Sequence, residues 1–366
     1  MSNGIDDYGV SGIVQCEIDI ESGEKLTPSK TIWTGSGGRY LESPHMYKIN
    51  GKYYLVAAEG GTEYGHMVTY ARADSLYGKF EGYENNPVLT NRNLGGYEVQ
   101  GVGHGDLIQD NYDNWWLLHL GFRQSGQWEA YHHLGREVFL TPVIFGEDGW
   151  FTAGDNGRTT KSFEINYINN DVIQKEKKHY TFENTKWDND WCYLRIPNKK
   201  NYKLDKNKLI LKGTDITLDD VDSPTFIGIR QRDFNATISC NVEITDGEAG
   251  ITLYMDENHH YDLAIRKCEN GYEAIERLNI GDIKSVEKSI YLENKNNISL
   301  IINASNSYYS FSIKSENEES ILGYAKTRYL SSEVAGGFTG VVIGLYACAS
   351  NSFNYAEFTN FKCMYK

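Results

Sequence analysis

The residue with the clearest potential for chemistry is Glu42, which lies in a loop bounded by Gly37-Gly38 and Pro44. Two apolar runs follow it, and the Asn50-Gly51 pair between them is a strong signal for a tight β-hairpin turn. A carboxylate beside a rigid hairpin can act as a general acid, because the scaffold fixes the group while the loop admits a substrate. A single glutamate in a loop is more often a solvated surface residue than a catalytic acid. Without its neighbours, Glu42 would therefore be interpreted as a surface residue.

The residues around Glu42 closely resemble the general-acid loop of glycoside hydrolase family 43 β-xylosidases and α-L-arabinofuranosidases. In that family a Glu-(Gly/Ser)-Pro-His-aromatic run precedes a Tyr-Tyr-Leu strand and then Ala-Glu-Gly-Gly-Thr. The matching residues here are Glu42-Ser43-Pro44-His45-Met46-Tyr47, Tyr53-Tyr54-Leu55 and Ala58-Glu59-Gly60-Gly61-Thr62. The resemblance implies an inverting glycosidase with Glu42 as general acid. On chemistry alone, Glu59 is a rival for that role.

Inversion requires a second carboxylate on the opposite face of the sugar, about 6.5–9.5 Å from the acid. The family takes this general base, an Asp, from the first blade of its β-propeller, and a further Asp modulates the acid. Both lie upstream of the region matched here. Asp6, Asp7 and Asp19 are the only N-terminal aspartates, and none lies in a family motif. We therefore expect the general base and the modulating Asp to be missing from this chain.

The resemblance implies that Thr62, His104 and Arg136 bind the sugar or shape its pocket. His104, in Gly-Val-Gly-His-Gly-Asp, matches a histidine near the propeller axis that contacts water, a metal ion or the modulating carboxylate. A single histidine in such a position is about as often a structural residue as a functional one. Asp106 is interpreted as a structural residue. Arg136 matches an arginine that reaches into the sugar pocket, where a guanidinium can donate to several hydroxyls. The alternative is a surface region formed with Glu137.

Phe338, in the C-terminal part of the chain, resembles an aromatic residue that the second domain lends to the active site. Aromatic residues on sandwich strands are usually part of the core, which is the alternative for this position. Trp115, Trp116 and Trp150 are interpreted as residues that pack the blades, not as sugar platforms.

Residues 1–167 predict the C-terminal part of a propeller. Residues 13–20 and 30–33 alternate as half-buried strands, with nothing upstream to supply earlier ones. A loop, a hairpin and outer strands then occur twice, from Glu42 to Leu89 and from Gly101 to Leu140, which is the organisation of four-stranded blades. Since propellers close with about 4–8 blades, this part cannot close alone. The resemblance implies a five-bladed propeller, of which this is the second half.

Residues 168–179, rich in Asn, Lys and Glu, predict a linker, and residues 180–366 predict a β-sandwich. Period-two runs occur at 237–244, 250–255, 261–266, 298–302, 308–313 and 341–347. The region resembles the concanavalin A-like C-terminal domain of the same β-xylosidases, most clearly at 223–226, 230–231 and 337–340. The predicted fold class is therefore all-β, a partial five-bladed β-propeller followed by a concanavalin A-like β-sandwich.

Composition excludes some classes of partner. A formal charge of −14 without clustered Lys and Arg argues against nucleic acid and is compatible with a neutral sugar. There is no apolar run of membrane-spanning length and no signal-peptide pattern, so we expect no membrane association and a cytoplasmic location. The six cysteines lack metal-ligand spacing and are expected to be reduced and mostly buried. No cofactor is required; a calcium ion near His104 is left open.

The leading hypothesis is an inverting, exo-acting β-xylosidase and/or α-L-arabinofuranosidase on xylan-derived oligosaccharides, whose base comes from an N-terminal propeller fragment. The alternative is an inactive remnant that binds sugar or serves as a subunit. The open flank of a partial propeller would expose strand edges and apolar blade faces. This favours an N-terminal propeller fragment, or a second copy in a homo-oligomer, as the partner. The sequence does not distinguish specificity for xylose from specificity for arabinose.

Overall fold

The computed structural model describes residues 1–165, 177–183, 187, 189–293, 298–315, 318–350 and 354–366. Their regular secondary structure consists almost entirely of β-strands, which confirms the all-β prediction. They fall into two compact units. The first comprises Met1–Ala130 and Arg136–Ile168, and the second comprises Tyr131–Gly135 and Asn169–Lys366.

The first unit contains three antiparallel sheets of consecutive strands. The strands are β1 (Ser2–Ile5), β2 (Ser11–Gln15) and β3 (Lys30–Trp33); β4 (Glu42–Ile49), β5 (Lys52–Glu59), β6 (Met67–Ala73) and β7 (Glu81–Gly82); and β8 (Val99–Gln109), β9 (Trp115–Arg123), β10 (Glu137–Phe145) and β11 (Phe151–Ala153). Asn50 and Gly51, both at positive φ, form the predicted turn between β4 and β5. The two four-stranded sheets are the two predicted blades, and Val56, Tyr70 and Leu107 belong to one apolar cluster that joins them.

Several local predictions in this unit were wrong. Residues 13–20 are not one strand, because β2 ends at Gln15 and Asp19 lies in a turn, where it accepts hydrogen bonds from the backbone of Glu21 and Ser22. The residues upstream form β1, which pairs with β2. Glu42 and residues 101–106 lie in β4 and β8, not in loops, because both ladders resume beyond bulges. A bulge interrupts pairing locally without ending the strand.

The second unit is a sandwich of two antiparallel sheets. Its strands are β12 (Lys177–Tyr180), β13 (Tyr202–Asp205), β14 (Lys208–Lys212), β15 (Thr225–Arg230), β16 (Ala236–Ile244), β17 (Glu248–Asp256), β18 (His259–Cys268), β19 (Gly271–Ile280), β20 (Ile283–Leu292), β21 (Ile298–Ala304), β22 (Tyr308–Ser315), β23 (Glu318–Lys326), β24 (Val342–Cys348) and β25 (Tyr355–Tyr365). One sheet has the order β13-β14-β25-β16-β21-β22-β23, with β12 beside β25, and the other has β15-β24-β17-β18-β19-β20. A short helix, α1, spans Ser332–Ala335.

Alternate residues of both sheets fill one apolar core, which explains the period-two pattern of the sequence. Ile238 in β16, Leu253 in β17 and Ile343 in β24 are fully buried members of this core. The six predicted runs coincide with β16, β17, β18, β21, β22 and β24. Of the predicted linker, residues 168–176 lie outside the described residues. Residues 177–179 belong to β12, so there the linker prediction was wrong.

All six cysteines are free thiols, as predicted. Cys240 and Cys363 are buried and the other four are half-buried, so the expectation that most would be buried was wrong. In the described part of the chain, no helix has the length and apolar character needed to cross a membrane. The cytoplasmic location stays a prediction.

Glu276 is a buried carboxylate that makes the stability of the sandwich depend on pH. It is 2% exposed and reaches from β19 to β23, where a Cβ on Gly323 would lie 2.1 Å from its Oε2. Burial, and then the charge of Glu287, raises the pKa of Glu276 from 4.5 to about 7. The folded state therefore binds this proton more tightly than the unfolded chain, and stability is lost as the pH rises through about 7.

We expect Glu276→Gln to be more stable than the wild type by about 2 kcal/mol near pH 8, because the amide carries no charge to bury. The difference should shrink towards pH 4. Urea unfolding at both pH values measures it, with Glu269→Gln, an exposed site, as the control. Parallel pH profiles for Glu276→Gln and the wild type would contradict the assignment.

Candidate active site

Glu42 is the first residue of β4 and is half-buried. It pairs with Ala58 in β5, and the ladder is then irregular until His45 pairs with Val56. Ser43, inside this bulge, has a φ of +53°, which is unusual for a residue with a side chain. Such conformations persist only where the surroundings enforce them, and they concentrate at functional sites. The bulge therefore marks the start of β4 as a candidate site.

β8 carries a matching irregular segment, and the two bulges meet. His104 in β8 has a φ of +52°, and its Nδ1 lies 3.1 Å from Ser43 Oγ. Burial, followed by the charge of nearby His45, lowers the pKa of His104. The charges of Asp106 and Glu42 act on the pKa of His104 in the opposite sense. Because Ser43 directly follows Glu42, this contact brings the start of β4 and His104 together.

A chain of hydrogen bonds holds Asp106 beside His45. Asp106 Oδ1 lies 2.9 Å from His45 Nδ1 and accepts a hydrogen bond from Tyr47 OH at 3.0 Å. Tyr47 OH in turn accepts from the Leu107 backbone N–H at 3.0 Å. The ring centroids of His45 and His104 are 6.0 Å apart. Asp106 therefore orients His45 and ties β4 to β8, in keeping with the structural interpretation of this residue.

His66 is a buried histidine behind this cluster. Its Nδ1 lies 3.0 Å from the Gly101 carbonyl oxygen and so carries the proton, while Nε2 has no hydrogen-bond partner among the described residues. Burial lowers the pKa of His66 to about 4, so the ring is neutral. Position 103 must be glycine for the ring to fit, since a Cβ there would lie 2.4 Å from it.

Arg136 is exposed just before β10, and its charge acts on both His66 and His104. The neighbouring Glu137 accepts hydrogen bonds at 2.8–3.2 Å from Nε and a terminal nitrogen of the Arg123 guanidinium. Glu137, the first residue of β10, thus pairs with Arg123.

The other two predicted sugar-binding residues are Thr62 and Phe338. Thr62 is half-buried in the turn after β5, which starts with Gly60 and Gly61 at positive φ. Phe338 is 60% exposed and belongs to the second unit. The roles of all five predicted site residues stay predictions.

Glu59, the rival carboxylate, has a structural role. It is fully buried, and its Oε1 accepts hydrogen bonds from the Ser36 backbone N–H at 2.7 Å and from the Thr69 hydroxyl at 2.9 Å. Its Oε2 accepts from the Gly38 backbone N–H at 2.5 Å. Glu59 thus fastens the loop before β4 to β5. A carboxylate enclosed in this way cannot reach a substrate, which leaves Glu42 as the candidate acid.

The N-terminal aspartates also serve local structure. Asp6 accepts backbone hydrogen bonds from Tyr8, Val10 and Thr31, and those from Val10 and Thr31 contribute most to lowering its pKa to about 2. Asp7 binds the Lys25 ammonium and the backbone N–H of residue 29. Like Asp19 in its turn, both carboxylates are occupied by nearby groups.

The described residues include no group of three or more His, Cys, Asp or Glu side chains placed to hold an ion. His104 Nδ1 is already bonded to Ser43, and Asp106 Oδ1 contacts His45 and Tyr47. We therefore derive no chemical step through a metal, and calcium near His104 stays a prediction.

Two family models match this chain. The model of glycosyl hydrolases family 43 matches residues 1–151. The model of the β-xylosidase C-terminal concanavalin A-like domain matches residues 179–364.

Individual proteins show the same similarity. A non-reducing end α-L-arabinofuranosidase of Bacteroides ovatus is 36% identical over 358 residues, which cover 95% of this chain and 67% of that protein. A xylosidase/arabinosidase of Butyrivibrio fibrisolvens is 31% identical over 365 residues, 94% of this chain and 69% of its own length. The solved structure of the Bacteroides ovatus xyloglucan PUL GH43B protein matches with a TM-score of 0.90 and 35% identity, covering 96% of this chain and 71% of that one.

Proposed function

Because this chain belongs to glycoside hydrolase family 43, we propose that it acts as an inverting, exo-acting β-xylosidase and/or α-L-arabinofuranosidase on xylan-derived oligosaccharides. The observation that carries the proposal is the position of Glu42 at the bulged start of β4, next to Ser43, whose hydroxyl contacts His104. Glu59 is buried and occupied, so no other residue of the matched motif competes for the acid role.

In the proposed reaction Glu42 donates its proton to the glycosidic oxygen as the bond from that oxygen to the anomeric carbon breaks. A water molecule, deprotonated by a general base on the opposite face, attacks the anomeric carbon and inverts its configuration. Arg136 donates hydrogen bonds to sugar hydroxyls, and Thr62 supplies a further hydroxyl contact. His104, whose pKa is lowered by burial, is fixed by Ser43 and shapes the pocket.

We propose that the general base and the modulating Asp come from a further propeller segment. Asp6, Asp7 and Asp19 are each occupied by local hydrogen bonds, which supports a source outside residues 1–366. Exposed apolar residues on the outer sheets support the same partner. Ile5 in β1 is 72% exposed and Ile144 in β10 is 69% exposed, whereas blade faces are normally covered by neighbouring blades.

The test is release of nitrophenol from aryl β-xyloside and aryl α-L-arabinofuranoside. We expect the chain alone to be inactive and a mixture with the N-terminal propeller segment of a close relative to be active, since the mixture restores the base. The ratio of the rate on the aryl β-xyloside to the rate on the aryl α-L-arabinofuranoside then reports the sugar specificity. Activity in neither sample, combined with calorimetric binding of xylobiose, would instead favour the inactive sugar-binding remnant. The occupied N-terminal aspartates are also compatible with that second candidate.

A further inference from the structure

The segment that leads into Glu42, residues 35–41, has little local reason to hold one conformation. We call it the approach loop. Gly35 and Gly37 have φ angles of +85° and +101°, and Tyr40 has a φ of +55°. Glycine gives up the most conformational freedom on ordering, and a residue with a side chain keeps a positive φ only where its surroundings enforce it. Contacts from elsewhere in the fold therefore set the course of the approach loop.

Glu59 supplies such contacts from the end of β5. Its two oxygens accept hydrogen bonds from the backbone N–H groups of Ser36 at 2.7 Å and of Gly38 at 2.5 Å. The Thr69 hydroxyl donates to the same Oε1 at 2.9 Å and so holds the carboxylate from β6. A carboxylate can accept at both oxygens, whereas an amide has only one acceptor atom. The donors around Glu59 therefore match a carboxylate and not its amide.

The carboxylate of Glu59 and the approach loop fit closely together. A Cβ on Gly38 would lie 2.5 Å from Glu59 Oε2, and a Cβ on Gly35 would lie 3.0 Å from Oε1. Gly60 continues the attachment, because its N–H donates to the Arg39 carbonyl oxygen at 2.7 Å and its carbonyl oxygen accepts from Arg39 Nε at 3.2 Å. Two consecutive residues after β5 begins its turn thus hold three residues of the approach loop.

These attachments end directly beside Glu42. In the ladder between β4 and β5, Glu42 pairs with Ala58, the residue before Glu59. Beyond Glu42 the ladder is irregular until His45 pairs with Val56. Glu42 therefore lies between a bulge on one side and the approach loop on the other. Its backbone position depends on the pairing with Ala58 and on the contacts made by Glu59.

We propose that Glu59 is a positioning residue for the general acid: by holding the approach loop, it places the Glu42 carboxyl group within reach of the glycosidic oxygen. Glu59 is fully buried and does not touch the substrate. A general acid transfers its proton only across a hydrogen bond, and a displacement of about 1 Å can slow such a step about 10²-fold. This inference rests on the proposed function, because it takes Glu42 as the proton donor.

The first experiment measures amide hydrogen exchange in the chain as it is, with no need for activity. In Glu59→Gln the amide oxygen can accept from one of the two backbone N–H groups, while the NH2 group faces the other. We therefore expect the amide of Ser36 or of Gly38 to exchange at least about tenfold faster than in the wild type. Glu84→Gln, at an exposed site after β7, is the control and should leave both amides unchanged. Unchanged exchange at both amides in Glu59→Gln would overturn the anchoring role.

The second experiment measures steady-state kinetics with the propeller segment added, on xylobiose and on a dinitrophenyl xyloside. Dinitrophenolate leaves without a proton, so a misplaced acid slows the reaction of xylobiose far more. We expect Glu59→Gln to lower kcat on xylobiose about 10²-fold, with a loss of less than about threefold on the dinitrophenyl xyloside. Equal losses on the two substrates would overturn the link to the acid, since a disturbed pocket slows both. Full activity on xylobiose would overturn it as well.

Gly38→Ala provides a second variant in case Glu59→Gln does not fold. The new Cβ would lie 2.5 Å from Glu59 Oε2 and 2.4 Å from Met67 Cε, so the approach loop must shift while the carboxylate is retained. We expect a loss of at least about tenfold on xylobiose and little loss on the dinitrophenyl xyloside. Gly95→Ala is the matched control, because a Cβ there would meet nothing within 4 Å. A Gly38→Ala protein as active on xylobiose as Gly95→Ala would overturn the inference.

The wild-type protein separates this inference from the proposed function. A wild type that hydrolyses neither substrate once the propeller segment is added overturns the proposed function, and the catalytic part of the inference with it. A wild type active on both substrates, beside a Glu59→Gln protein with the same ratio of the two rates, overturns the inference alone.

Discussion

Glu42→Gln should lower kcat/KM for xylobiose by about 10²–10⁴-fold in the protein supplied with its propeller segment, because glutamine cannot protonate the departing sugar oxygen. A dinitrophenyl xyloside should lose much less, since dinitrophenolate leaves without a proton. Comparing the two substrates in steady-state assays therefore separates proton donation from a merely structural role. Kd for xylobiose should change little, as the amide has nearly the same shape as the carboxyl group.

Glu81→Gln provides the matched control for Glu42. Glu81 is an exposed carboxylate in β7 of the same blade, so its loss should leave both substrates unaffected. An equal loss of activity on xylobiose and on the dinitrophenyl xyloside in Glu42→Gln would contradict the acid role and indicate a disturbed pocket. Full activity of Glu42→Gln on xylobiose would assign the proton donor to another residue.

Asp262→Asn should destabilise the sandwich by about 3 kcal/mol, because it removes one partner from a buried group of charges. Asp262 in β18 is fully buried; its Oδ1 lies 2.9 Å from His260 Nδ1, and its Oδ2 accepts from Arg277 at 3.0 Å. Burial alone would lower the pKa of His260, but Asp262 and Asp219 outweigh it and raise that pKa to about 9. The imidazolium and the Arg277 guanidinium would therefore remain partly uncompensated.

The measurement is urea unfolding near pH 7, followed by tryptophan fluorescence. Asp256→Asn is the control, because Asp256 makes a more exposed contact of the same type, 2.9 Å from His259 Nδ1, at the turn between β17 and β18. An exposed pair contributes only about 0.5 kcal/mol. If the two variants lost equal stability, burial would not be the reason for the importance of Asp262.

The sequence by itself determined the features that depend on neighbouring residues. The Asn50-Gly51 turn, the alternating sandwich strands and the motif around Glu42 are all encoded within short segments. Turn chemistry and strand periodicity act over a few residues, so they can be recognised without knowing the rest of the fold. The motif around Glu42 also identified the carboxylate that the structure leaves available for acid chemistry.

Only the tertiary structure decided which residues meet. Ser43 and His104 are 61 positions apart and come together through bulges, and a bulge changes the direction of every side chain near it. Glu59 and Glu42 are both glutamates in the matched motif, and burial of the first between the 36–38 backbone and Thr69 distinguishes them. The segment Tyr131–Gly135 joins the second unit through contacts about 200 residues distant in sequence. Such pairings depend on how complete sheets pack, which no local pattern contains.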